Sequence, residues 1–227
     1  MSDGVQRLIS YTWKELVLPE DAVDLALSTT GSSATASTAG RDPMGAINGN
    51  HSLAGWAQGR NGWEATATPT HPNWWGDWLE IAFPEPRPLD TIIVYTLPEH
   101  VLGRNRLGLR DYQLQLRAGS SDDWETVDTV RGNTSGTLVH RFAERPVQAI
   151  RLWITAANTG DELSAMSYAP NLARVLEVEA YRLGDADLWH EEERQVPLDG
   201  GHRYRLAILR DDFPAVAGST PASPESL

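Results

Sequence analysis

The chain has 227 residues, of which 41% are hydrophobic and 22% charged, as expected for one substantial globular domain with extensions or two small ones. Its net charge of −12 leaves no basic stripe to neutralise phosphates, which excludes nucleic acid as a partner. Cysteine is absent, and with it disulfides, thiolate metal sites and cysteine nucleophiles.

The opening "MSDGVQRLISYTWKELVLPED" lacks both a basic start and a continuous apolar run, so it does not read as a signal peptide. A turn of helix is expected around residues 12 to 17. No stretch approaches the roughly 18 apolar residues of a membrane span. Synthesis in the cytoplasm follows, with a virus particle or an extracellular surface as the place of action.

Strand signals then dominate. "DLALS" (24–28) is short and alternating. "WLEIAF" (78–83) and "DTIIVYTL" (90–97) are separated by "PEPRPL", which reads as a proline-rich turn. "RDYQLQLRA" (110–118), "WETVDTV" (124–130), "TLVHRF" (137–142), "VQAIRLWIT" (147–155) and "ARVLEVEAY" (173–181) follow. Gly, Asn, Ser and Asp clusters such as "GSSDD" and "RGNTSG" supply the turns between them. Many strands joined by loops predict an all-β protein, an antiparallel β-sandwich or barrel. Alternation assigns the faces. Leu79, Ile81 and Phe83 point one way, with Trp78, Glu80 and Ala82 opposite; Leu114 and Leu116 oppose Gln113 and Gln115; Ile150, Leu152 and Ile154 oppose Arg151 and Trp153.

Residues 29 to 77 show little strand character. A loop of this length inside a domain is usually functional or disordered, and Trp56, Trp63, Trp74 and Trp75 argue against disorder. Beyond residue 182 a hairpin is expected, with "PLDGGHR" (197–203) as its turn and "YRLAIL" (204–209) as a strand. A Pro/Ser/Ala-rich arm follows.

Catalytic constellations are scarce. The six histidines are scattered without metal-ligand spacing. A G-x-S-x-G elbow, a P-loop and a dinucleotide fingerprint are all missing. Adjacent acids such as Asp122–Asp123 read as solvated turn residues rather than the facing carboxyl pair of a glycosidase. The chain therefore reads as a non-enzyme.

The ordered pieces "LALSTTGSSATAST" (25–38), "AINGNHSLAGWA" (46–57), "DWLEIAF" (77–83), "LDTIIVYTL" (89–97), "RDYQLQLRAGSSDDWETV" (110–127), "VQAIRLWITAAN" (147–158) and "ARVLEVEAY" (173–181) resemble one family. It is the discoidin-type domain, seen also in the C domains of coagulation factors V and VIII and in bacterial carbohydrate-binding modules. The subtype is similar to one found in phage tail proteins and as add-on modules of glycoside hydrolases. The resemblance implies a galactose-binding-like jelly roll over residues 22–182, flanked by extensions 1–21 and 183–227. It also implies one structural calcium, held by the loop at Asn48, Gly49 and Asn50 with Glu177 across the fold. Asn48 stands where the family carries Asp, which lowers the charge of the site. Read alone, "NGN" is equally a turn with left-handed residues.

In the resembling modules the ligand sits at the loop end of the sandwich, where sugar C–H faces pack on aromatic rings and hydroxyls meet polar side chains. The matching loops carry His71, Trp74 and Trp75, then His100, Arg104 and Asn105, then Tyr168. Trp56 and Trp63 read as packing residues. Trp74 and Trp75 are neighbours in extended chain and cannot both bury, so one of them is the foremost candidate platform. The expected function is recognition of carbohydrate or a cell-surface glycan, with display on a phage particle as the expected setting. The alternatives are a structural virion protein whose arms grip neighbouring subunits, as capsid decoration or tail, and an accessory domain of a glycoside hydrolase.

Overall fold

The computed structural model describes residues 7–66, 76–97, 108–120, 123–157 and 172–198. The chain divides into two units, one of residues 22–184 and one of residues 1–21 with 185–227.

In the larger unit, β2 (Ser33–Ala36), β4 (Asp77–Tyr95), β7 (Thr137–Ala157), β5 (Leu109–Arg117) and β6 (Glu125–Val130) form one antiparallel path, with β9 (Glu177–Tyr181) on β4. A small ladder joins β3 (Trp63–Glu64) to β8 (Arg174–Val175). This is the expected antiparallel sandwich, with one difference that explains its shape. "PEPRPL" is not a turn. Residues 77–95 form a single bent strand, and residues 137–157 form another. The β4–β7 register shifts between Ala82 and Arg87, and Pro88 lies opposite Pro146. Proline cannot donate to a ladder, so it is tolerated at such an irregularity, which also bends the strand. Before the bend, β4 pairs with β2 and β7; after it, with β9 and β7. Both long strands thereby serve the two layers.

The predicted faces are the observed ones. Leu79, Ile81, Phe83, Leu114, Leu116, Ile150, Leu152 and Ile154 are buried in one core with Ile92, Val94 and Val178. Trp78, Glu80, Arg151 and Trp153 are half-buried on the other side. Each inward side chain contributes about 1.5–3 kcal/mol by leaving water.

"DLALS" is not a strand. It docks against β9 as irregular chain: the Leu25 N–H donates to the Ala180 carbonyl at 2.8 Å, and the Ala180 N–H donates to Asp24 Oδ1 at 2.9 Å. A side-chain carboxylate thus replaces a backbone acceptor. The stretch from residue 29 is also more ordered than its composition suggests. It holds β2, a 3-10 segment at Pro43–Ile47 capped by Asp42, and α1 (Leu53–Ala57) capped by Ser52. Gly62 is required at its position: its φ is +77°, and a Cβ would meet the Trp56 ring at 2.7 Å.

The second unit is a ribbon of β1 (Arg7–Leu16) and β10 (Trp189–Leu198), antiparallel from Arg7↔Leu198 to Leu16↔Trp189. The helical turn expected near residues 12–17 is strand up to Leu16. Its partner lies nearly the whole chain away, so no local pattern announces the pairing. The expected "PLDGGHR" hairpin extends beyond the described residues.

Three strands are stitched by a hydrogen-bonded chain. Tyr112 on β5 and His140 on β7 meet at 2.7 Å, and His140 meets Asp128 on β6 at 2.6 Å. The neutral ring satisfies both partners when Nδ1–H donates to the carboxylate and Nε2 accepts from the phenol. Burial holds His140 below the ordinary histidine range, against the hydrogen bond and charge of Asp128. The unfolded chain takes up this proton near pH 6.5 and the folded chain does not, so the contribution is present above that pH and lost as pH falls through it. Urea denaturation from pH 7.5 to 5.5 should therefore show the wild type losing stability relative to His140→Gln, by up to about 1.4 kcal/mol per pH unit. Parallel pH profiles would remove the buried neutral ring from the account.

Candidate functional site

The loop after Ile47 meets β9 through one buried carboxylate. Glu177 is fully buried, and its Oε1 accepts the Gly49 N–H at 2.9 Å while Oε2 has no partner among the described residues. Burial pushes this carboxyl up to about 8; the Asp24 and Glu179 charges add to the rise, and the N–H groups of Gly49 and Asn48 oppose it. Asp24 is raised to about 6, again chiefly by burial. Glu179 is one turn of the pleat further on, and its Oε2 accepts the hydroxyls of Tyr95 and Tyr181 at 3.1 and 3.0 Å. His51 stacks on Tyr95 with 4.2 Å between ring centres and places Nδ1 3.4 Å from Glu179 Oε1.

Asn48 and Asn50 shape the loop. The Asn50 N–H donates to Asn48 Oδ1, and the Ser52 N–H donates to Asn50 Oδ1, both at 3.0 Å. Asn61 is buried and donates its amide to the carbonyls of Asn50 and Ser52, and its own Oδ1 has no partner among the described residues. Among the described residues no group of three or more His, Cys, Asp or Glu is arranged to hold a metal. The orphan atoms are nonetheless oxygens, one of a carboxyl and one of an amide, on two side chains that each bond the 49–52 loop. That donor chemistry fits a hard cation such as calcium, with fewer charges than a tight site carries.

Of the expected ligand contacts, His71, Trp74, Trp75, His100, Arg104, Asn105 and Tyr168 lie outside the described residues. The chain ends that flank them are described, and they converge. Asp77 at the start of β4 pairs with Ile154, and Leu109 at the start of β5 pairs with Ala157 at the end of β7. Leu97 and Gly108 approach so closely that a Cβ on Gly108 would lie 2.1 Å from the Leu97 carbonyl oxygen. Ala65 donates its N–H to the Ala173 carbonyl, and Arg174 binds Glu64 at 2.6 Å. Thr96 joins the two groups, its hydroxyl donating to the Arg174 carbonyl and accepting the Leu109 N–H. The chain ends that flank residues 67–75, 98–107 and 158–171 therefore lie at one end of the sandwich.

Trp56 and Trp63 pack, as expected. Trp63 is fully buried with its indole N–H on the Thr38 carbonyl, and the Arg41 guanidinium lies 3.7 Å from the centre of the Trp56 ring. The Asp128–His140–Tyr112 chain has the outline of a catalytic relay, but its phenol is only 1% exposed and reaches no substrate. Sequence reasoning missed Asp24, Asn61, Tyr95, Glu179 and Tyr181 in the buried polar cluster. Only the period-two spacing of Glu177, Glu179 and Tyr181 could have hinted that they share a face.

No family model matches the chain, and no curated protein matches its sequence. Solved structures do. A Streptococcus pneumoniae fucose binding module is 14% identical with a TM-score of 0.53, over 73% of this chain and 99% of its own. The family 32 carbohydrate-binding module of S. pneumoniae EndoD is 14% identical with a TM-score of 0.51, over 70% and 99%. The family 32 module of Clostridium perfringens NanJ, solved with galactose, is 12% identical with a TM-score of 0.50, over 70% and 100%. The sandwich is a discoidin-type, galactose-binding-like fold. Identities this low establish the discoidin-type architecture alone.

Proposed function

We propose that this chain is a non-catalytic recognition module that binds carbohydrate at the loop end of its discoidin-type sandwich. The convergence at one end of the chain ends that flank residues 67–75, 98–107 and 158–171 carries the reading. It is supported by similar structures described as a fucose binding module, a module in complex with galactose, and a lectin domain complexed with Lewis B antigen. Trp74 or Trp75 provides the platform for a pyranose ring, with His71, His100, Arg104, Asn105 and Tyr168 as candidate partners for its hydroxyls. None of these three similar structures is described as a phage or virion protein, and the particle setting forms no part of this proposal.

Calcium belongs to the same reading as a structural ion. Glu177, Asn61 and the carbonyls of the 48–52 loop would hold it, and its charge would offset the buried carboxylate and tie the loop to β9.

Glycan-array screening followed by calorimetric titration tests recognition. A fucose- or galactose-type oligosaccharide should bind the wild type, and Trp74→Ala or Trp75→Ala should weaken it about tenfold, roughly 1.4 kcal/mol, at unchanged melting temperature. An array without any bound glycan would overturn the proposal. For the ion, a chelator should lower the melting temperature of the wild type and leave that of Glu177→Gln unmoved, because a ligand of the folded state alone raises stability. Equal melting of the wild type with and without chelator contradicts the calcium assignment.

A further inference from the structure

The outer face of the β4–β7–β5–β6 layer is not the polar surface that a solvated sheet normally shows. Trp78 and Trp153 are register partners on β4 and β7. Glu80, Arg151, Gln115 and Thr126 form the adjacent cross-strand row on this face. The Arg151 guanidinium lies 4.2 Å from the centre of the Trp124 ring and 5.4 Å from that of Trp153; the Arg117 guanidinium lies 4.7 Å from Trp124. All of these except the buried Gln115 and the exposed Thr126 are half-buried, so the rings and guanidiniums remain in reach of solvent.

The hydrogen bonding is unbalanced. Gln115 donates to Gln113 and Thr126 and accepts the Arg151 Nε–H at 2.8 Å, which pins the guanidinium. Among the described residues the two terminal nitrogens of Arg151 have no acceptor. Arg117 donates to Glu80 at 3.2 Å, and its buried Nε–H has no partner among the described residues. Of the two guanidiniums only that of Arg117 is hydrogen-bonded to the Glu80 carboxylate, on a chain whose net charge is −12. Each positive charge also opposes the other, and burial with the nearby Arg117 charge holds Arg151 below the ordinary arginine range.

A guanidinium held over rings, its terminal donors without an acceptor among the described residues, is a preorganised fork for a planar carboxylate. The tryptophan faces beside it suit the C–H face of a sugar ring. We propose that this sheet face is a second saccharide site, selective for a carboxylate-bearing glycan, with a uronic acid carboxylate on Arg151 and its pyranose ring on Trp124 or Trp153. The proposal rests on the reading of the domain as a glycan binder, and it places the acidic ligand on the strands rather than at the loop end.

Calorimetric titration of the full chain in 0.15 M salt tests it, using trigalacturonic acid and the same trisaccharide after carboxyl reduction. The wild type should bind the acid about tenfold tighter than the reduced form. Arg151→Gln, with an unchanged melting temperature, should lose that preference, and the Trp74→Ala/Trp75→Ala double variant should keep it. The proposal is overturned if the two sugars bind alike or neither binds at millimolar concentration. It is also overturned if Arg151→Gln keeps the preference, if only the double variant loses it, or if a glutamate-rich peptide binds as tightly as the acid. Neutral glycan bound at the loop end without acid preference would sink this site and leave the proposed function standing.

Discussion

The pairing of β4 with β7 is the constraint from which the rest of this structure follows. Residues 77–95 and 137–157 run antiparallel through a shared irregularity at the prolines, and each strand passes from one layer into the other. The two layers are thus covalently continuous, and their registers are coupled. A slip of one residue would turn Leu79, Ile81, Ile150 and Leu152 to solvent and bring Glu80, Arg151 and Trp153 inside. The same register sets the start of β4, the start of β5 and the end of β7 side by side, which gathers the loops of the proposed binding end.

β9 shows what this arrangement costs. It lies beside the second half of β4, and Glu177 and Glu179 share a face with Tyr181 where a core strand would carry apolar side chains. Glu179 is satisfied by two phenols, whereas Glu177 keeps one oxygen unpaired. Desolvation of an unpaired carboxylate oxygen is expensive, and folds retain such a group when it has a partner or a task. The outer face of the opposite layer shows the converse imbalance, an excess of guanidinium donors over acceptors. Both are departures from complete polar satisfaction in a sandwich whose apolar core is otherwise regular.

The sandwich was legible because period-two alternation is a local signal. Every inward residue named from "WLEIAF", "YQLQLRA" and "AIRLWIT" is buried. The errors arose where the decisive partner is distant. "PEPRPL" reads as a turn until Pro88 is seen opposite Pro146; residues 12–17 read as a turn of helix until β10 is seen paired with the chain up to Leu16. "DLALS" has strand composition, but Asp24 uses its side chain to complete the edge of β9. For the site, the motif around Asn48 and Glu177 located a real junction between loop and strand. Asn61 and Tyr95 reach that region only through tertiary contacts, and nothing in their neighbourhoods marks them. The pairing of Arg117 and Arg151 over Trp124 is likewise assembled from separate strands.

The central claim is that one end of this sandwich recognises a sugar. Amide chemical shifts followed by nuclear magnetic resonance during titration with the best neutral glycan test it most directly. Shifts should concentrate at the chain ends that flank the converging loops, Thr66, Gly76, Leu97, Gly108, Ala157 and Leu172, and leave the β1–β10 ribbon unmoved. A titration that perturbs only the ribbon, or no amide in the sandwich, would contradict the account.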